Sequence, residues 1–175
     1  MLISTPHLRR YLLLLASLAT LLIILGCDRL DATPDFQVTR FDGGSFHLSE
    51  LAGQEAVVIN FWYPSCPPCR EEMPVFEEVW QEMQGQETQG KEVRFLGLFV
   101  PQGFDTEQDA RDFVDELGLT FDFATDLQAQ IAKAYEVQYF PTTYFINKKG
   151  RVFQQEISNL DRESLAAIIS QMTGG

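Results

Sequence analysis

Cys66-Pro67-Pro68-Cys69 is where residue types and spacing in this 175-residue chain point most directly to chemistry. Cysteines at i and i+3 share one face of a helix and come within disulfide reach without distorting the backbone. Proline is tolerated in a first helical turn, because the amide it lacks has no intrahelical partner there. Pro67 and Pro68 therefore stiffen the loop without removing helix bonds. A thiol at a helix start meets unpaired amides and the positive end of the helix dipole, which in CxxC sites lower its pKa from ~8.5 to about 7 or below. The pattern predicts thiol–disulfide exchange, with Cys66 attacking and Cys69, one turn further in, resolving the mixed disulfide. The redox-active pair is itself the only cofactor this chemistry calls for.

Other uses of a CxxC fit less well. It supplies half of many zinc ligand sets, but the chain has no second CxxC, and His47 is the only histidine beyond the N-terminal leader. A metal site is therefore not expected. A structural disulfide in a non-enzymatic binding module is the alternative to an enzyme. A bridge closing so short a loop removes little unfolded-state entropy, which makes it a weak staple. A peroxidase would call for a Thr-x-x-Cys arrangement, and the sequence contains none.

The elements that must position the pair can be read on both sides of it. Ala56 to Phe61 is apolar and β-branched except at Asn60, as in a central strand buried on both faces. After Cys69, the positions Met73, Phe76, Trp80 and Met83 recur at helical spacing, with acids Glu71, Glu72, Glu77, Glu78 and Glu82 in the polar remainder. Pro74 lies inside this helix and predicts a kink. Upstream, Phe36–Phe41 and Ser45–Leu48 flank the turn Asp42-Gly43-Gly44 and predict a hairpin, followed by a short helical turn at 49–53. Downstream come a strand over 93–100, a helix capped by Asp105 or Thr106 and ended by Gly118, and a short helix from Asp126. The chain closes with a hairpin of 142–146 and 151–157 about Asn147-Lys148-Lys149-Gly150, then a helix capped by Asp161. Strands alternating with helices and then a terminal hairpin predict an α/β fold, a mixed sheet with helices on both faces.

Composition bounds the partners. A hydrophobic share of 45% is enough for one compact domain, and the net charge of −12 repels phosphate backbones, so nucleic acid is not an expected partner. Residues 1–26 hold Arg9 and Arg10, no acid, and an apolar run from Tyr11 to Leu25, the pattern of a secretory signal peptide or membrane anchor. The run ends Ile24-Leu25-Gly26-Cys27, which resembles a bacterial lipobox and makes Cys27 a candidate for lipid attachment. An uncleaved signal anchor is the other reading. Either one leaves the positive flank inside and the domain outside the cytoplasm. Residues 27–35 read as a tether and 36–175 as the domain.

The segment Asn60-Phe61-Trp62, followed by Cys66-Pro67-Pro68-Cys69-Arg70-Glu71-Glu72-Met73-Pro74, resembles the TlpA/ResA family. These are membrane-anchored, thioredoxin-fold thiol–disulfide oxidoreductases of bacterial envelopes. Phe140-Pro141-Thr142-Thr143-Tyr144-Phe145-Ile146-Asn147 is similar to the family's cis-proline loop and the strand after it. The resemblance implies a thioredoxin fold with an N-terminal β-hairpin extension, a cis bond at Pro141 in a loop facing the CxxC, and a supporting role for Trp62, Pro67, Pro68 and Phe140. It also implies protein disulfides as substrates, a membrane electron donor, and often the reduction of cytochrome c apoproteins. Oxidase or metallochaperone-type reductant roles stay open. Ser65 stands where relatives usually have Trp and Gln102 where they often have a Glu near the second cysteine, while Asn60 takes the place of the buried Asp of thioredoxins, as is common in this subfamily. Gln cannot titrate, which leaves water, Asp105 or Glu107 to take the Cys69 proton.

Overall fold

The computed structural model describes residues 33–85 and 92–174. The leader, Cys27, most of the tether and residues 86–91 lie outside the described residues. In chain order the elements are β1 (Gln37–Thr39), β2 (Ser45–His47), α1 (Leu48–Leu51), β3 (Ala56–Trp62) and α2 (Pro67–Gln84). There follow β4 (Val93–Phe99), α3 (Glu107–Leu117), β5 (Asp122–Thr125), a 3-10 turn (Leu127–Ala129), α4 (Gln130–Ala134), β6 (Thr142–Ile146), β7 (Val152–Ile157) and α5 (Arg162–Thr173).

The main sheet has strand order β5-β4-β3-β6-β7. β4 is parallel to β3 and to β5, while β6 runs antiparallel to β3 and to β7. β3 lies in the centre and is buried at all seven positions, as an unbroken apolar run should be. The β6–β7 turn is closed by Asn147, whose side chain accepts from Lys149 and Arg151 amides at 3.0 and 3.2 Å, and by Gly150 at φ +70°. A separate ribbon of β1 and β2 forms the predicted N-terminal hairpin. Together these make a thioredoxin-like mixed α/β fold.

β5 was not anticipated. Its four residues begin and end in polar side chains, Asp122 and Thr125, and no run of that length stands out by itself. Pairing with Leu96–Phe99 makes it a strand. Arg40 and Arg94 both form ion pairs with Asp122, and an isolated bridge joins Arg40 to Ala124.

Helix α2 continues through Pro74 as one element. The proline lies on the exposed side, so the carbonyl it leaves without a partner, that of Arg70, is on the side facing water. Cys69, Glu72, Met73, Phe76, Val79 and Met83 make the buried face, and Trp80 is half-buried. Glu72 is thus removed from the polar face that the periodicity assigned to it. Of the two candidate caps for α3, Thr106 is the one used, in a reciprocal capping box with Asp109. Asp161 caps α5 through the Ser164 amide at 2.8 Å.

Two buried clusters lie on opposite faces of the sheet. One gathers Val58, Trp62, Phe95, Phe99 and both site cysteines under α2, α3 and α5. The other gathers Val57, Ile59, Phe61, Leu96, Leu98 and Tyr144 under the hairpin, Ala132 and Tyr135. The compact unit runs from Thr33. Pro34 and Asp35 belong to it because the Pro34 carbonyl accepts the Tyr135 hydroxyl at 2.8 Å and the Asp35 carboxylate accepts the Ser49 amide at 3.0 Å.

Candidate active site

β3 delivers the chain to the site. Its last residue, Trp62, is fully buried, with ring centroids 5.1 Å from Phe113, 5.8 Å from Phe123 and 6.0 Å from Phe99. Room for this packing comes from Gly97, where a Cβ would fall 2.3 Å from the Phe123 ring and 3.2 Å from Trp62 Nε1. Tyr63 then meets Phe140 edge-on at 5.2 Å.

Cys66 is the N-cap of α2, in extended conformation, and is disulfide-bonded to Cys69 with Cα atoms 5.3 Å apart. The Cys69 amide donates to Cys66 Sγ at 3.3 Å. Pro67 and Pro68 occupy the first two helical positions and carry no N–H, so this one amide is the contact the first turn offers to sulfur. The sequence predicted several unpaired amides at this point, and the prolines narrow them to the one from Cys69. The first turn holds no acidic side chain, which leaves the positive helix end uncancelled. Both cysteines are buried, Cys66 at 1% exposure as well as Cys69 at 0%.

The Phe140–Pro141 bond is cis. Pairing of Phe61 with Thr142 and of Asn60 with Thr143 brings this loop to the sheet edge from which the CxxC loop leaves. The two motifs, 71 residues apart between Cys69 and Phe140, meet only through this antiparallel pairing.

One helical turn beyond Cys69 lies a polar cluster that the sequence did not reveal. The Asn60 amide donates to Glu72 Oε1 at 2.7 Å and to Thr143 Oγ1 at 3.0 Å, and the Leu160 amide donates to Glu72 Oε2 at 3.1 Å. Asn60 and Glu72 are each 1% exposed. Burial pushes the Glu72 carboxyl up from 4.5 to about 7, against the pull of its two donors, Asn60 and Leu160. Glu72 stands three residues after Cys69 on the same helix face. That spacing was the available signal. It was masked because four other acids in the helix do face water.

Of the carboxylates expected to serve Cys69, Asp105 is tied to the CxxC loop and Glu107 to Arg111 and Thr125. Gln102 is half-buried, and its carbonyl accepts from the Asp105 amide at 2.9 Å. Asp105 accepts from Ser65 Oγ at 2.6 Å and from the Ser65 amide at 3.2 Å. Glu107 accepts from Arg111 and, at 2.7 Å, from Thr125. The carboxylate placed along the Cys69 face is Glu72.

A dithiol at the start of a helix that follows the central strand, with a cis-proline loop at the same sheet edge, defines a thioredoxin-fold disulfide exchanger. Residues 30–155 match the AhpC/TSA family, and the chain belongs to it. Within that family it is a thiol–disulfide oxidoreductase of the ResA type. It is 31% identical over 140 residues to ResA of Bacillus thuringiensis, covering 80% of this chain and 76% of that one. With ResA of Geobacillus kaustophilus it shares 33% over 132 residues, or 75% and 71% of the two chains. A Chlorobium tepidum protein described as a DsbE-type thiol:disulfide interchange protein superposes with a TM-score of 0.70 at 25% identity, over 81% of this chain and 95% of that one.

Proposed function

We propose that this oxidoreductase acts outside the cytoplasm as a reductase of protein disulfides. In this reading it is held at the membrane through a lipid on Cys27 and re-reduced by a membrane donor. Polypeptides awaiting a reduced thiol pair, such as apocytochrome c before haem attachment, are the substrates. One observation carries the chemical part: Cys66 Sγ caps α2 on the single amide of Cys69, and Cys69 shares a buried helix face with Glu72.

The exchange runs in two displacements. The Cys66 thiolate attacks one sulfur of the substrate disulfide. That bond breaks, a mixed disulfide forms, and the departing thiolate takes a proton from water. Cys69 then passes its proton to the Glu72 carboxylate and attacks Cys66 Sγ. The mixed disulfide breaks, the second substrate thiol leaves protonated from water, and the Cys66–Cys69 bond forms. Two electrons have moved from the pair to the substrate. A carboxylate poised near pH 7 suits this task because it accepts a proton readily and returns it when the pair is re-reduced. Trp62, Phe140 and Pro141 hold the walls.

A redox titration of the pair against glutathione tests the direction. A potential near about −270 mV is expected, whereas one near about −120 mV would mark an oxidant and overturn the reading. Intact-mass measurement of membrane-extracted protein tests the anchor. Loss of residues 1–26 with added acyl mass is expected, and a full-length N-terminus would replace the lipid with an uncleaved signal anchor.

A further inference from the structure

Among the described residues, six large apolar side chains are exposed: Phe104, Leu127, Tyr139, Val152, Phe153 and Ile157. Two of them, Phe104 and Tyr139, stand on the segments that border the dithiol. In the order β4-β3-β6, the CxxC loop leaves from the middle strand. Phe104 belongs to the loop leaving β4 on one side, and Tyr139 to the segment entering β6 on the other.

Phe104 is 101% exposed, at the tip of a turn closed by the Asp105 amide on the Gln102 carbonyl at 2.9 Å, with Gly103 at φ +57°. Its position is nevertheless held at both ends to the strand that feeds Cys66. Upstream, the Val100 amide donates to the Trp62 carbonyl at 2.9 Å. Downstream, Ser65 donates twice to the Asp105 carboxylate, from Oγ at 2.6 Å and from its amide at 3.2 Å. Ser65 immediately precedes Cys66, so the clasp ties the aromatic tip to the reacting sulfur's own loop. Tyr139 is 64% exposed, and its carbonyl accepts from Thr142 Oγ1 at 2.7 Å, two residues before the cis-bonded Pro141. An aromatic ring left wholly in water on a fastened backbone gives the fold nothing by burial, and it is already ordered for binding.

We propose that Phe104 and Tyr139 are the specificity-determining contacts of this enzyme, receiving apolar side chains on either side of the substrate cysteine. Folded proteins keep such side chains inside, so the partner is an extended or unfolded polypeptide. The proposal rests on the oxidoreductase reading above and narrows its substrate class.

The test uses reduced full-length protein and three disulfides: hydroxyethyl disulfide, a disulfide-linked peptide with leucines flanking its cysteine, and the same peptide with serines in their place. The wild type is expected to favour the leucine peptide by about tenfold, the scale of one partly buried apolar side chain. Phe104→Ser and Tyr139→Ser should each erode that preference, and the double variant should abolish it. All variants should keep the wild-type rate with hydroxyethyl disulfide, and Phe104→Trp should restore the preference. An unchanged leucine preference in either serine variant overturns the proposal. So does an equal loss on all three disulfides, which would mean the residue shapes the site generally. A wild type that reduces none of the three would break the oxidoreductase reading instead.

Discussion

Both faces of the five-stranded sheet are buried, yet the polar side chains on them find different partners. On the face under the hairpin and α4, the hydroxyls of Tyr135 and Tyr144 and the carboxylate of Asp126 meet backbone partners. The Tyr144 hydroxyl donates to the Tyr135 carbonyl at 2.5 Å and the Tyr135 hydroxyl to the Pro34 carbonyl at 2.8 Å, while Asp126 receives the Ile131 and Ala132 amides at 3.0 and 2.7 Å. On the face under α2, Asn60 Oδ1 and Trp62 Nε1 are buried with no hydrogen-bond partner, and Glu72 holds its carboxyl near pH 7. Satisfied polar atoms rigidify a core, whereas a titratable group below a disulfide keeps a proton available. On the proposed mechanism the first face is scaffold and the second carries the reaction.

Substitutions on the two faces should separate stability from turnover. The largest effect is expected at Cys66. Cys66→Ser should lose all turnover of insulin disulfides, and turnover at the wild-type rate would favour a purely structural bridge. Next is Glu72→Gln. In the wild type the resolving step should quicken as pH rises through about 7, because only the carboxylate accepts the Cys69 proton. The variant should lose that limb and run about a hundredfold slower at pH 8, the scale of one general base.

The same substitution has a stability signature in the disulfide form. Between pH 4.5 and about 7 native Glu72 keeps a proton that the unfolded chain has released. Its contribution is therefore fully present below pH 4.5 and lost as pH rises through 7. Glu72→Gln should flatten this decline, measured by denaturant unfolding across the same pH range. A parallel decline in both proteins would remove Glu72 from the account.

Smaller effects belong to the scaffold face. Asp126→Asn replaces one of two accepting oxygens with a donor and should lower stability by about 2 kcal/mol. Tyr144→Phe removes one hydroxyl from a buried carbonyl, for about 1 kcal/mol. Both should leave the redox potential and the pH dependence of turnover unchanged. A shift in either would mean that the two faces communicate.

Much of this division could be read along the chain, though unevenly. β3, α2, the terminal hairpin and the α5 cap are visible because each rests on near neighbours: apolar periodicity, a turn dipeptide, a side chain three residues from the amide it caps. The Cys66–Cys69 pair is legible for the same reason, since one helical turn joins its two members. β5 escaped because four residues carry too little pattern without their partner strand. Glu72 escaped because periodicity cannot tell which of five acids on one helix turns inward.

By itself, then, the sequence determined the dithiol, its place at a strand–helix junction and the order of the elements other than β5, all of them local properties of spacing, while the cis bond at Pro141 came from resemblance to relatives. Only the tertiary structure decided which carboxylate shares the buried face of Cys69 and that Phe104 and Tyr139 stand on the segments beside the pair. Those facts depend on contacts between residues up to 88 positions apart, such as Leu160 with Glu72. Such contacts arise only when strands pair and helices pack, because burial and desolvation are properties of the assembled core rather than of any segment.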